Sequence, residues 1–414
     1  MEFVADFHIH SKYSRATSRD MNVPTLTKWA RLKGVDLLGT GDFTHHLWLQ
    51  ELKQHLQPKG KTGLYYHKDV HFILTAEISS IFSQNGKLYR VHNLIMAPSF
   101  EIVDEVNKML SSHGNIASDG RPILGMSCLS LAQELFGISK DIMLVPAHIW
   151  TPWFSVFGSK SGFDRLEDAY GKYTKEITAL ETGLSSDPAM NWMVSCLDQY
   201  SLISNSDSHS PSRIAREANV FDCELSYWEI MKVLKTKDKS KFLYTLEFFP
   251  EEGKYHYDGH RNCQVCFHPD QTRKNNGVCP KCKKPLTKGV LYRVQELADR
   301  EYGHKPDNAV GFKSLVPLDE IIAEAKGLGK QSKAVSTQYL DSVYNAGSEF
   351  NIMVKMSLEE LFSRLPERIA EGIKRVRDKN IEMIPGHDGE YGVIKIFKDE
   401  KKEEKPQDQQ LTLF

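Results

Sequence analysis

The chain has 414 residues, 40% of them hydrophobic and 26% charged, and a net charge of −1 at neutral pH. That length suits two or three domains of ordinary globular composition, and the near-zero charge excludes a histone-like polycation, so any contact with nucleic acid must run through local patches. No apolar run approaches the roughly 18 residues of a membrane span, and the N-terminus lacks the basic-then-apolar pattern of a secretory leader, which predicts a cytoplasmic protein with no membrane partner.

Over the first 210 residues of an expected barrel domain at 1–245, short apolar runs alternate with helix-like stretches, the pattern of βα units that build a parallel sheet or barrel. Ligand-type residues follow run after run. "EFVAD" leads to His8 and His10, which strand alternation places on one face. "VDLLGTG" ends at Asp42, with His45 and His46 beyond; "HFILTA" ends at Glu77; His92 stands inside "LYRVHNLIMA". "DIMLVPA" stops at His148, "ITAL" at Glu181, and "SLISNS" delivers Asp207 and His209. In barrels of this kind the C-terminal strand ends converge on one face, where the active site is built.

Imidazoles and carboxylates together are the ligand set of zinc, manganese or iron(II), and a carboxylate such as Glu77 can bridge two ions. Two or three ions a few ångströms apart stabilise both oxygens of an in-line displacement at phosphorus and lower the pKa of a bound water. Hydrolysis of a phosphoester is therefore the leading reaction. His45 reads equally as a ligand, a loop residue or a ligand's partner; His46 reads as no ligand; Glu181 either supports the site or caps a helix. Directly after His148, "IWTPWFSVFGSKSGF" crowds Trp150, Trp153 and Phe154 into a loop that should rise over the metal face. Those rings either stack on a bound base or belong to the core.

Residues 246–295 carry a separate signal, Cys263-x2-Cys266 and, after twelve residues, Cys279-x2-Cys282. Two such knuckles hold one structural zinc through four thiolates, as in a zinc ribbon. With four thiolates supplied, His256, His260 and His268 read as surface residues, and Cys128, Cys196 and Cys223 as core. Residues 296–398 turn helical, with apolar positions at three- and four-residue spacing. One of these helices carries Arg375 and Arg377 among other cations, a solvated face or a phosphate-backbone contact. Residues 399–414 are charge-dense, predicted to be disordered, and end in Gln410, Leu411, Leu413 and Phe414. This tip resembles the short peptide that docks on sliding clamps, in one of two registers: Leu411 and Phe414 as anchors, or Gln410 and Leu413 opening a motif cut short.

"DFHIHSKYS", "LLGTGDFTHH", the glutamate of "LTAEIS", "VHNLI", "VPAHIW" and "SNSDSHS" resemble the successive motifs of the polymerase and histidinol phosphatase (PHP) superfamily. The resemblance implies an α/β fold, a distorted (βα)7 barrel, holding two to three divalent ions (Zn, Mn, Mg or Fe). It carries ligand roles to His8, His10, Glu77, His92, His148, Asp207 and His209, with Glu77, Asp207 and His209 at the chemistry. The second motif departs from the pattern, with Asp42-Phe43 where many relatives have Asp-His, so a third ion would use Asp42, His45 or Asp20, or be weakly held. Barrel, ribbon, helical region and tail, in that order, resemble the endonuclease Q family, PHP-type nucleases that nick DNA 5′ to a deaminated base. That implies damaged double-stranded DNA (uracil, hypoxanthine, xanthine or an abasic site) and a sliding clamp as partners of a monomer. The residues by themselves reach a multi-metal phosphoesterase with a zinc ribbon. A small-molecule phosphatase of the histidinol-phosphate type and a non-catalytic nucleic-acid-binding scaffold remain open.

Overall fold

The structure, a computed structural model, describes residues 1–397. The residues expected to bind a clamp, Gln410, Leu411, Leu413 and Phe414, lie outside the described residues. Seven strands form the ring at the heart of the fold: β1 Glu2–Asp6, β2 Leu37–Gly39, β3 Val70–Gln84, β4 Lys87–Ala97, β5 Met143–Pro146, β6 Ala179–Glu181 and β7 Ser201–Ile203. β1, β2 and β3 pair in parallel. β4 then runs antiparallel to both β3 and β5, and β6 and β7 pair in parallel. Ile149 N bonds Glu181 O at 3.0 Å, joining β5 to β6, and His10 N bonds Ser208 O at 2.9 Å, bringing the end of β7 back to β1.

The reversal at β4 distorts the barrel, and its cause is local. Asn85 and Gly86 take φ of 51° and 78°, the left-handed pair that a two-residue hairpin turn requires. β3 therefore does not stop at Glu77, as the sequence suggests, but runs seven residues past it to Gln84. The hairpin register sets Glu77 opposite Leu94 and Ser79 opposite His92, so two ligand-type residues face the barrel centre from mid-strand.

Three further strands extend the sheet beyond β1: β8 Ala218–Asp222, β9 Phe242–Glu247 and β10 Gly311–Ser314. β10 and the helix Val290–Leu297 both lie with the barrel, since Val290, Leu291 and Val294 share the barrel's hydrophobic core. The packing therefore changes near residue 316 rather than at 296. Beyond it, Leu318, Ile321, Ile322, Val343, Ile369 and Ile373 form a core of their own between the helices Leu318–Lys326, Lys333–Ala346 and Glu367–Arg377. The hairpin of Glu382–Ile384 with Val393–Lys395 returns onto the cysteine-bearing segment, where Tyr257 N bonds Gly386 O at 2.9 Å. No helix among the described residues is long and apolar enough to cross a membrane.

Arg375 and Arg377, expected as nucleic-acid contacts, are used inside this helical region. Arg377 donates to the carbonyls of Ile352, Met353 and Met356 at 2.6, 2.9 and 2.6 Å, capping the turn Asn351–Lys355. Arg375 bonds Glu371 Oε1 at 2.8 Å and lies over the Phe397 ring. Free carbonyls at the end of a buried turn need donors, and Arg377 supplies them.

Candidate active site

Glu77 is the centre of the site, and its two oxygens divide the work. Oε1 stands 2.5 Å from His92 Nδ1 and 3.1 Å from His148 Nε2. Oε2 stands 3.3 Å from His10 Nε2 and 3.7 Å from His8 Nε2. Asp207 Oδ1 completes the second side, 3.1 Å from His10 Nε2 and 3.8 Å from His8 Nε2. Two groups of potential ligand atoms result, His8 with His10 and Asp207, and Glu77 with His92 and His148; within each group all atoms lie within 4.8 Å of one another.

The outer atoms of the first two histidines are tied down. His8 Nδ1 bonds Glu181 at 3.0 Å, and Glu181 is itself held by His148 N at 2.8 Å and Asn205 Nδ2 at 2.9 Å. His10 Nδ1 bonds Asp42 Oδ1 at 3.0 Å, and Asp42 Oδ2 accepts from Ser11 N and Oγ at 2.5 and 2.7 Å. A carboxylate on Nδ1 fixes the tautomer that leaves the Nε2 lone pair facing inward. Those Nε2 atoms and Asp207 Oδ1 are buried and make no well-formed hydrogen bond among the described residues. Buried polar atoms left without partners and aimed at one point are what a cation site leaves when its ion is taken away, so the donor set fits divalent metal.

The buried charges act strongly on one another. Burial alone would lower the pKa of His8 and His10, but Glu181 and Glu77 on one, and Asp42 and Asp207 on the other, hold both well above the ordinary range. Burial would raise Glu77, yet His92, Arg121 and His8 hold it well below the usual carboxylate range. Burial pushes His92 down to about 4 against the opposing pull of Glu77. Asp42, His148 and Asp207 carry φ of 50°, 29° and 45°. Left-handed backbone at a non-glycine residue costs of order 1–3 kcal/mol and clusters at functional sites.

Several expected ligands stand apart. Asp42 is committed to His10 and Ser11 and belongs to neither group, because its left-handed turn aims the carboxylate back at β1. His45 lies against Tyr13, ring centres 4.4 Å apart, outside both groups. Phe43 is fully buried in the core and Asp20 is exposed, so these residues assemble no third group. His209 sits at the rim: its Nδ1 bonds Asp207 O at 2.9 Å and its ring lies 4.5 Å from that of His10, but it joins neither group.

A cleft of about 440 Å³ opens over the two groups, walled by Trp153, Phe154, Leu184, Ser185, Arg15 and Arg121. Trp150 is not part of it. It is 1% exposed, bonds Asn191 Oδ1 through Nε1 at 2.8 Å and packs on Phe157, so it is a core residue.

The cysteine site also differs from expectation. His260, Cys263, Cys279 and Cys282 converge, while Cys266 stays out, its Sγ 3.8 Å from Pro385 O. Strand pairing explains the exchange. His260 lies opposite Val265 and Gly259 opposite Cys266; directly paired residues share a face and neighbours alternate, so His260 turns to the side of Val265 and Cys279 while Cys266 turns away. The group fits a tetrahedral zinc with three thiolates and one imidazole. Accordingly, Cys266→Ser is expected to retain zinc through dialysis, whereas His260→Ala loses it; the reverse result in metal analysis would restore the four-cysteine set.

An α/β barrel whose interior gathers two histidine–carboxylate groups around one shared glutamate defines a metal-dependent enzyme. Among solved structures, the chain is similar to the lesion-specific endonuclease PfuEndoQ from Pyrococcus furiosus, with a TM-score of 0.86 and 34% identity over 95% of each chain. It belongs to the endonuclease Q family. A second similar structure, an endonuclease Q in complex with a 27-mer duplex substrate carrying an abasic lesion at the active site, has a TM-score of 0.84 and 34% identity, covering 95% of this chain and 96% of that one. Residues 317–380 match the family model of the MJ0043 C-terminal domain. The uncharacterised protein MJ0043 of Methanocaldococcus jannaschii is 34% identical over 262 residues, 61% of this chain; the chain spans 32% of that relative's length.

Proposed function

We propose that this chain is a DNA repair endonuclease that hydrolyses the phosphodiester 5′ to a deaminated base or an abasic site in duplex DNA. The observation that carries the reading is Glu77, one buried carboxylate with an oxygen toward each of two histidine groups, beneath an open cleft lined by His92, His148 and Asp207. Divalent ions held by His8, His10 and Asp207 and by Glu77, His92 and His148 would supply Lewis acidity and a nucleophilic water. Glu181 and Asp42 keep His8 and His10 in the ligating tautomer, and Asp207 supplies the second inward carboxylate. Trp153 and Phe154 form the apolar wall on which an extruded base or its neighbour would rest. Membership of the endonuclease Q family, with a relative crystallised on abasic-lesion duplex at its active site, supports DNA as the substrate class. The tail residues Gln410, Leu411, Leu413 and Phe414 would tether the enzyme to a sliding clamp.

End-labelled duplexes bearing one uracil, hypoxanthine, xanthine or abasic site, incubated with divalent ions, are expected to yield a fragment ending immediately before the lesion, with the undamaged duplex left intact. Turnover of free phosphomonoesters with no nicking of any duplex would instead favour the small-molecule phosphatase reading.

A further inference from the structure

Arg121 lies in a loop rather than on a strand, yet it is among the most firmly placed residues at the site. Gly120 N bonds Tyr13 O at 3.1 Å, Thr44 Oγ1 bonds Gly120 O at 3.0 Å, and Ser79 N bonds Pro122 O at 3.0 Å. Gly120 presses so closely on the turn after β2 that a Cβ there would stand 2.3 Å from Asp42 Oδ2. The loop is thus sewn both to the Asp42 turn and to β3 two residues past Glu77, and it delivers Arg121 Nη1 to 3.2 Å from Glu77 Oε2. The side chain is 29% exposed and forms part of the cleft wall beside His92, His148 and Asp207.

A guanidinium has five N–H donors in a planar fork, and among the described residues this one makes a single protein bond, to Glu77. Glu77 holds only one edge of the guanidinium, and the side chain lines the cleft beside His92, His148 and Asp207. A phosphodiester entering that cleft is an anion, and the free edge of the fork matches two of its oxygens.

We propose that Arg121 is a further catalytic residue, a clamp whose remaining donors bind the non-bridging oxygens of the scissile phosphate and stabilise the charge that builds there during displacement. It makes and breaks no covalent bond. The inference rests on the phosphodiesterase reading above, and it separates from that reading because phosphate binding can be measured without turnover.

The test uses the full-length, metal-loaded protein with Arg121→Ala and Arg121→Lys. Both variants are expected to keep the wild-type metal content and melting temperature. Affinity for inorganic phosphate, measured by titration calorimetry, should fall at least tenfold in the alanine variant and less in the lysine variant. Single-turnover nicking should fall about 10²–10³-fold in both, the usual cost of a lost oxyanion donor, and millimolar guanidinium should restore part of the rate to the alanine variant alone. Unchanged phosphate affinity in Arg121→Ala overturns the proposal, as does loss of metal in step with loss of rate, which would make Arg121 only a prop for Glu77. If the wild type nicks no duplex, the functional reading falls, and the phosphate titration still decides the role of Arg121.

Discussion

Glu77→Gln is expected to reduce nicking by at least about three decades, roughly 4 kcal/mol of barrier, while the protein remains folded. The size follows from the geometry: Oε1 and Oε2 serve different histidine groups, so one substitution removes an anionic ligand from both. The amide is of similar size and leaves the hydrophobic layers around it intact, among them Leu74, Ala76 and Ile78 on the same strand, all 0% exposed. Metal analysis should show the barrel ions depleted and the zinc of the cysteine site unchanged, since no residue is shared between them. Wild-type nicking by Glu77→Gln at full metal content would remove the bridging role. A parallel loss of zinc would point to general unfolding instead.

How far the site is legible in the sequence depends on which interaction places each residue. His8, His10, His148 and Asp207 sit where short apolar runs end, and strand alternation with barrel geometry is enough to turn them toward one point. Glu77 and His92 are placed differently, by the register of a long hairpin, and the signal for it is the Asn85-Gly86 pair. Asp42 looks like a ligand by position. Only the left-handed turn that sends its carboxylate to Ser11 shows that it orients His10 instead. His260 has no sequence signature as a zinc partner, because which of two neighbours faces the ion is settled by pairing across a three-residue hairpin strand. Basic residues are the least legible of all. Arg377 is used on backbone carbonyls and Arg121 lies beside the shared carboxylate, yet in the sequence both are simply cations in polar surroundings.

Trp150→Ala and Trp153→Ala should separate cleanly although the two residues are three apart. Trp150 is enclosed against Phe157 and bonded to Asn191, so its truncation should cost about 3–5 kcal/mol of stability, the usual penalty for deleting a large core ring. It should also leave the Asn191 carbonyl oxygen unpaired. The variant should melt far earlier and lose activity on every substrate alike. Trp153 is half-buried in the cleft wall and edges against Tyr255, ring centres 5.3 Å apart, so its loss should barely move the melting curve. If its ring stacks on a base at the lesion, the variant should lose roughly 1–3 kcal/mol, about 5- to 150-fold, on a uracil or hypoxanthine duplex. It should lose far less on an abasic duplex, where no base remains to stack. Thermal melting of both variants, with nicking rates on matched deaminated and abasic duplexes, measures each effect independently. Equal loss on the two substrates by a stably folded Trp153→Ala would move base recognition away from this wall, toward the Leu184 and Ser185 side of the same cleft.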